Sequence, residues 1–193
     1  MMQFLKLLFS FAPWIAFLVI AQGSLERLKI GLVVAAILTV GMAVLKLHRG
    51  AIMWVGIAFF TYACVAVLAF THMWTIHNMG ILANAALAVG TWGTMFMGMP
   101  FTQEYAREHT DPSLWQHPAF LRANIVLTSA WGAVFTLNTA VAWLKTYDKS
   151  LPVWSYEAAS YTFLLSAMVL STVYPALMKR RAAALAAKAA QKG

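Results

Sequence analysis

Long apolar runs separated by short polar breaks repeat six times along the chain. The runs cover about residues 5–22, 30–47, 51–71, 79–99, 120–144 and 158–178. Each approaches the roughly 20 residues that a helix needs to cross hydrocarbon. Backbone in lipid must hydrogen-bond to itself, and the period-two alternation of barrel strands is absent, so the runs predict helices. The expected fold is all-α: one membrane domain over 1–193, a bundle of six transmembrane helices. Pro13 inside the first run predicts a kink. Residues 72–78 and 145–155 read as loops, and 100–119 reads as a polar interfacial stretch between the fourth and fifth spans.

Three runs carry small residues every four positions: Gly31, Ala35, Thr39, Ala43; Ala86, Gly90, Thr94, Gly98; and Thr128, Gly132, Thr136, Ala140. Such ridges let helix backbones approach in lipid. They predict that the fourth and fifth spans pack closely through Gly90 and Gly132.

Composition fits the same picture. Of 193 residues, 62% are hydrophobic and 10% charged, and mean hydropathy is +0.72. A soluble domain carries about 25% charged residues, so lipid is the solvent this surface matches. The net charge of +8 sits at the ends of the runs, where it orients a membrane protein, and no exposed basic fold remains for nucleic acid. With six spans, one side holds Lys6, Lys46, Arg49, Arg107, Arg122, Lys179, Arg180, Arg181, Lys188 and Lys192, and the other only Arg27, Lys29, Lys145 and Lys149. That asymmetry places both termini and the central stretch in the cytoplasm. Trp74, Trp143, Tyr147, Trp154 and Tyr156 then form an aromatic belt on the far side. The basic tail, with Lys179, Arg180, Arg181 and Lys188, is expected to meet anionic lipid headgroups. The lone cysteine, Cys64, allows no internal disulfide.

Candidate chemistry concentrates outside the spans. Lys6, Lys46 and Arg122 stand at the ends of their runs, and no Asp, Glu, Lys, Arg or His lies deeper within one, which argues against a proton- or sodium-coupled carrier. The stretch from Met99 to Asn124 holds Glu104, Glu108 and Asp111, half of the six acidic residues, together with His109 and His117. It predicts a short cytoplasmic helix capped by Thr102, with Glu104 and Arg107 pairing across one turn. Pro100, Thr102, Gln103, Glu104, Arg107, Glu108 and Trp115 are the expected partner-reading surface. No nucleophile elbow, phosphate loop or zinc-protease motif is present, so no catalytic residue is assigned. A lipid-headgroup enzyme would need Glu104, Glu108, His109 and His117 to converge, and no spacing enforces that. His72 and His77 are weak metal-ligand candidates, since five residues of helix turn them about 140° apart. Met95, Met97 and Met99 read as packing rather than a copper site. Asn84 and Asn138 suggest a hydrogen bond between neighbouring helices. No cofactor is expected; the alternative is a redox subunit binding haem or quinone near His72, Trp74 and His77.

Three short motifs carry a family likeness. Phe4-Leu5 with Pro13 opens the chain, Pro100-Phe101-Thr102-Gln103 ends the fourth run, and Ala130-Trp131-Gly132-Ala133-Val134-Phe135 lies in the fifth. Together they resemble the bacterial intracellular septation protein A family, although Leu127-Thr128 stand where that family has Leu-Asn. The resemblance implies a multi-pass inner-membrane protein of the cell envelope. It also implies a scaffold or a subunit of a larger complex, acting through other membrane or division proteins and without catalytic residues.

Overall fold

The computed structural model describes residues 11–45, 50–108, 110–148 and 150–190, with side chains as far as residue 178. The expectations for Lys6, Lys46, His48, Arg49, His109, Lys149 and Lys192 lie outside the described residues. Those for the side chains of Lys179, Arg180, Arg181 and Lys188 do so too.

Within these bounds the fold is all helical. Helix α1 spans Ala12–Ile20 and α2 spans Leu25–Val44. Helix α3 spans Ala51–Cys64 and continues through a wide π turn, Val65–Ala69. Helix α4 is the short Met73–His77, and α5 spans Met79–Phe96. Helix α6 spans Phe101–Arg107, α7 spans Pro118–Tyr147, and α8 spans Val153–Ala190. Five segments are long and apolar enough to cross a membrane: α2, α3 with its π turn, α5, α7, and α8 as far as Met178. This is the arrangement of a multi-pass membrane protein. The described part of the first expected span is the nine residues of α1, about 14 Å of helix.

Local chemistry sets the element ends. Pro13 lies in the first turn of α1 rather than in a helix interior. Its missing N–H costs nothing there. Gly23, with φ of +89°, reverses the chain, and the Ser24 hydroxyl accepts from the Arg27 N–H to cap α2. Residues 73–77 form a helical turn rather than the loop expected, and its inner residue Thr75 is fully buried. Gly98, with φ of +73°, ends α5: its N–H donates to the Met95 carbonyl and that of Met99 to Thr94. These paired bonds satisfy the last carbonyls of the helix. Asp111-Pro112 and His117-Pro118 each begin a helical segment: Asp111 accepts from the Ser113 N–H and His117 from the Ala119 N–H. The basic tail continues α8 as helix to Ala190.

The core is aromatic. Phe11, Trp14 and Phe17 of α1 are all buried. Phe11 stacks on Trp131 at 5.5 Å and meets Phe101 edge-on at 6.2 Å. Trp14 lies 5.1 Å from Phe59 and 4.9 Å from Phe60. Each such pair adds about 0.5–1.5 kcal/mol beyond the area it buries. Helix α1 therefore ties α3 to α7.

Helices α5 and α7 do pack extensively, but not glycine against glycine. A methyl added at Gly90 would overlap Val55 of α3, so that face of α5 meets α3. A methyl at Gly132 would come within 2.8 Å of the Trp92 ring, which lies across this glycine and donates from its indole N–H to the Thr136 hydroxyl at 3.1 Å. Gly132 is thus a seat for an indole. Gly132→Leu should displace Trp92 and cost about 1–3 kcal/mol, read as a lower melting midpoint in detergent. Gly41→Leu, with nothing within 4 Å of the added carbon, should leave the midpoint unchanged. Equal effects at the two sites would refute the seat.

Candidate functional site

The central stretch folds largely inward. Pro100, Phe101, Thr102 and Gln103 are buried. Thr102 does not cap α6; its hydroxyl donates to the Asn124 carbonyl and lies 2.9 Å from the Thr128 hydroxyl. These bonds satisfy polar groups that would otherwise be costly in an apolar interior. Of the seven residues expected to form a partner-reading surface, Pro100, Thr102 and Gln103 are interior. Glu104, Arg107 and Trp115 are half-buried, and Glu108 is exposed.

Glu104 and Arg107 do not simply pair across their turn. The Glu104 carboxylate crosses to α3 and accepts the Ala51 N–H at 3.2 Å, satisfying a donor at a helix start that has no cap of its own. The Arg107 guanidinium lies 5.2 Å from the centre of the Trp115 ring, whose N–H donates to the Thr110 carbonyl. Burial pushes the Glu104 carboxyl above its ordinary value; the Ala51 N–H and the Arg107 charge pull the other way without reversing it.

The opposite end of the bundle carries α4 and a second polar group. The Thr75 hydroxyl bonds both Tyr62, at 3.0 Å, and His72 Nδ1, at 2.8 Å. Thr71, just before, holds a positive φ of 47°, a strained state for a β-branched residue. The Tyr147 hydroxyl donates to Asn78 at 2.6 Å, and the His77 ring meets Tyr147 edge-on at 5.7 Å. Beside them Lys145 forms an ion pair with Glu157 at 2.9 Å. The hydrogen bond expected between Asn84 and Asn138 does not form. Asn84 donates to the Gly80 carbonyl of its own helix, and the buried Asn138 Oδ1 has no partner.

Behind this polar group lies a cavity of about 930 Å³ between α1, α5, α7 and α8, in the upper part of the roughly 300–1,000 Å³ range of small-molecule sites. Its deep wall is Phe11, Trp14, Phe17, Leu87, Trp131 and Phe135; its rim carries Gln22, His77, Asn84, Lys145 and Thr146. The exposed large apolar residues of its lining are Ile15, Leu18, Leu25, Tyr161 and Leu165. All five belong to the α1–α2 hairpin or to α8, so the cavity opens sideways between those elements.

The two candidate histidines divide here. His77 lines the cavity, whereas His72 bonds to Thr75 and is not part of its wall. Among the described residues no group of three or more His, Cys, Asp or Glu side chains could hold a metal ion. Of the two histidines, His77 is the one at the cavity wall. Sequence reasoning found His77 but missed the cavity, because its lining comes from stretches scattered between residues 11 and 168.

Glu104 gives a pH test. The folded chain holds its proton more tightly than the unfolded chain does. Its contribution to stability is therefore present at acid pH and is lost as pH rises above the ordinary carboxylate value. Glu104→Gln keeps an acceptor for the Ala51 N–H and removes the titration. The melting midpoint of the native chain relative to Glu104→Gln should fall as pH rises through and above the ordinary glutamate value of 4.5. A difference that stays constant over that rise would rule out Glu104 as the titrating group.

No protein-family model, curated protein or solved structure matches the chain.

Proposed function

We propose that this protein binds one membrane amphiphile, with its hydrocarbon in the cavity and its headgroup at the rim that carries His77 and Lys145. The observation that carries this reading is the sideways opening: an apolar chamber reached through exposed apolar residues of α1 and α8 is accessible to a molecule already dissolved in the bilayer. The wider setting is a six-span protein of a bacterial inner membrane with both termini in the cytoplasm. Its support is the distribution of lysine and arginine. In that orientation the rim faces away from the cytoplasm and the basic end of α8 lies against anionic lipid.

An envelope or septation role through protein partners is a second reading, favoured by the exposed Glu108 and the exposed residues Asp111 to Leu114 beside Arg107 and Trp115. That surface is smaller than the full central stretch, and the two roles are compatible on one chain.

Acyl chains brominated near their ends quench indole fluorescence on contact and so test the main reading. In nanodiscs, Trp54 and Trp154, which are 66% and 69% exposed, report bulk lipid. Trp14 and Trp131 are shielded from it and line the cavity. Difference spectra against Trp14→Phe and Trp131→Phe should show both indoles quenched, and Ala83→Phe, which fills the chamber from α5, should relieve that quenching at least two-fold. Unquenched cavity indoles, beside quenched Trp54 and Trp154, would overturn the proposal.

A further inference from the structure

The rim also restricts what headgroup it can hold. Building on the amphiphile reading, we infer that the ligand carries an uncharged oxygen headgroup, a hydroxyl or carbonyl, seated by His77, Lys145, Asn84 and Gln22 at the open end of the cavity.

Charge is the first ground. Among the described residues Lys145 is the one lysine or arginine in the lining, and its ammonium already meets the Glu157 carboxylate at 2.9 Å. An anionic headgroup would have to approach that carboxylate as well, or displace it from the lysine. A cationic headgroup finds Glu157 already paired. The pair therefore presents the ligand with cancelling charges, although two N–H groups of the ammonium can still donate.

The hydrogen-bond inventory is the second. The Asn84 amide donates to the Gly80 carbonyl and the Gln22 amide to the Leu18 carbonyl. Each bond uses one of the two amide N–H groups and leaves the other N–H as a donor and the amide oxygen as an acceptor at the rim. The His77 ring contacts Tyr147 edge-on, and no hydrogen bond to its nitrogens is formed among the described residues. The rim thus offers donors from His77 and Lys145 and both a donor and an acceptor from each of Asn84 and Gln22. A hydroxyl uses both kinds, and a carbonyl uses the donors. A phosphate would use the donors too, but it would set its negative oxygens beside the Glu157 carboxylate and leave both amide oxygens without a donor.

Three probes sharing one sixteen-carbon chain separate the possibilities: hexadecanol, hexadecyl phosphate and hexadecylamine. Each competes in nanodiscs with the brominated chain, and recovery of Trp14 and Trp131 fluorescence is read. Hexadecanol should compete at a mole fraction at least ten-fold lower than either charged probe. His77→Phe should cut that advantage to about three-fold or less while leaving the quenching by the brominated chain intact. Glu157→Gln frees Lys145 and should bring hexadecyl phosphate level with the alcohol. Phosphate or amine competing as well as the alcohol in the native chain would overturn the headgroup assignment and leave the cavity reading standing. If the brominated chain never quenched the cavity indoles, both would fall.

Discussion

The packing of α1 against α3 and α7 is the contact on which the remaining arrangement depends. Phe11, Trp14 and Phe17 recur every third residue along α1, and all three are buried. Two of them reach the Phe59–Phe60 pair of α3, and the first reaches Trp131 and Phe135 of α7. Lipid tails are as apolar as leucine, so burial alone gives little reason for helices in a bilayer to associate. Ring stacking and close packing supply one. Without α1 the cavity would also lose one of its four helical walls.

The positions of five long apolar helices were readable from the sequence, which also predicted a sixth span where the described residues hold the nine-residue α1, and the neighbours of these helices were not readable. Hydrocarbon thickness fixes run length, so the runs beginning near Ile30, Ala51, Met79 and Phe120 each correspond to an observed helix. Partner choice is another matter. Every face of a membrane helix is apolar, so there is no amphipathic period to point inward. Small-residue spacing identifies a face that can be approached closely, but not what approaches it. Gly90 and Gly132 show the difference. Both sit on predicted ridges, yet one meets Val55 of another helix and the other receives the flat side of Trp92.

The central stretch illustrates a related limit. Its polar residues suggested a surface, because polar groups in a greasy chain are costly to bury alone. Thr102, Thr128 and Asn124 are not alone: they lie close enough for the Thr102 hydroxyl to reach both partners. Polar groups 22 and 26 residues apart in sequence, a backbone carbonyl and a hydroxyl, can cancel the burial cost of one side chain. Reading residues one segment at a time misses such cancellation. The cavity was hidden for the same reason. His77 stood out as a histidine, but nothing in its own segment placed it beside Lys145 of α7 or Gln22 of the α1–α2 turn.

The distribution of polarity along the cavity bears on what it can hold. A path for ions or water needs hydrogen-bonding groups through its whole depth, because a dry stretch removes hydration without replacing it. Here the hydrogen-bonding side chains gather at one end, and the deep wall is mainly rings and aliphatic chains. Of the two indoles in that deep wall, Trp14 and Trp131, the latter's N–H is already bonded to the Ser171 hydroxyl at 2.9 Å. A molecule that satisfies both ends must itself be polar at one end and hydrocarbon over the remainder. The bilayer supplies such molecules already oriented, with their headgroups at the depth of the rim and their chains at the depth of the aromatic wall. An opening toward lipid rather than toward water follows from the same chemistry, since the ligand then need not leave its solvent to reach the site.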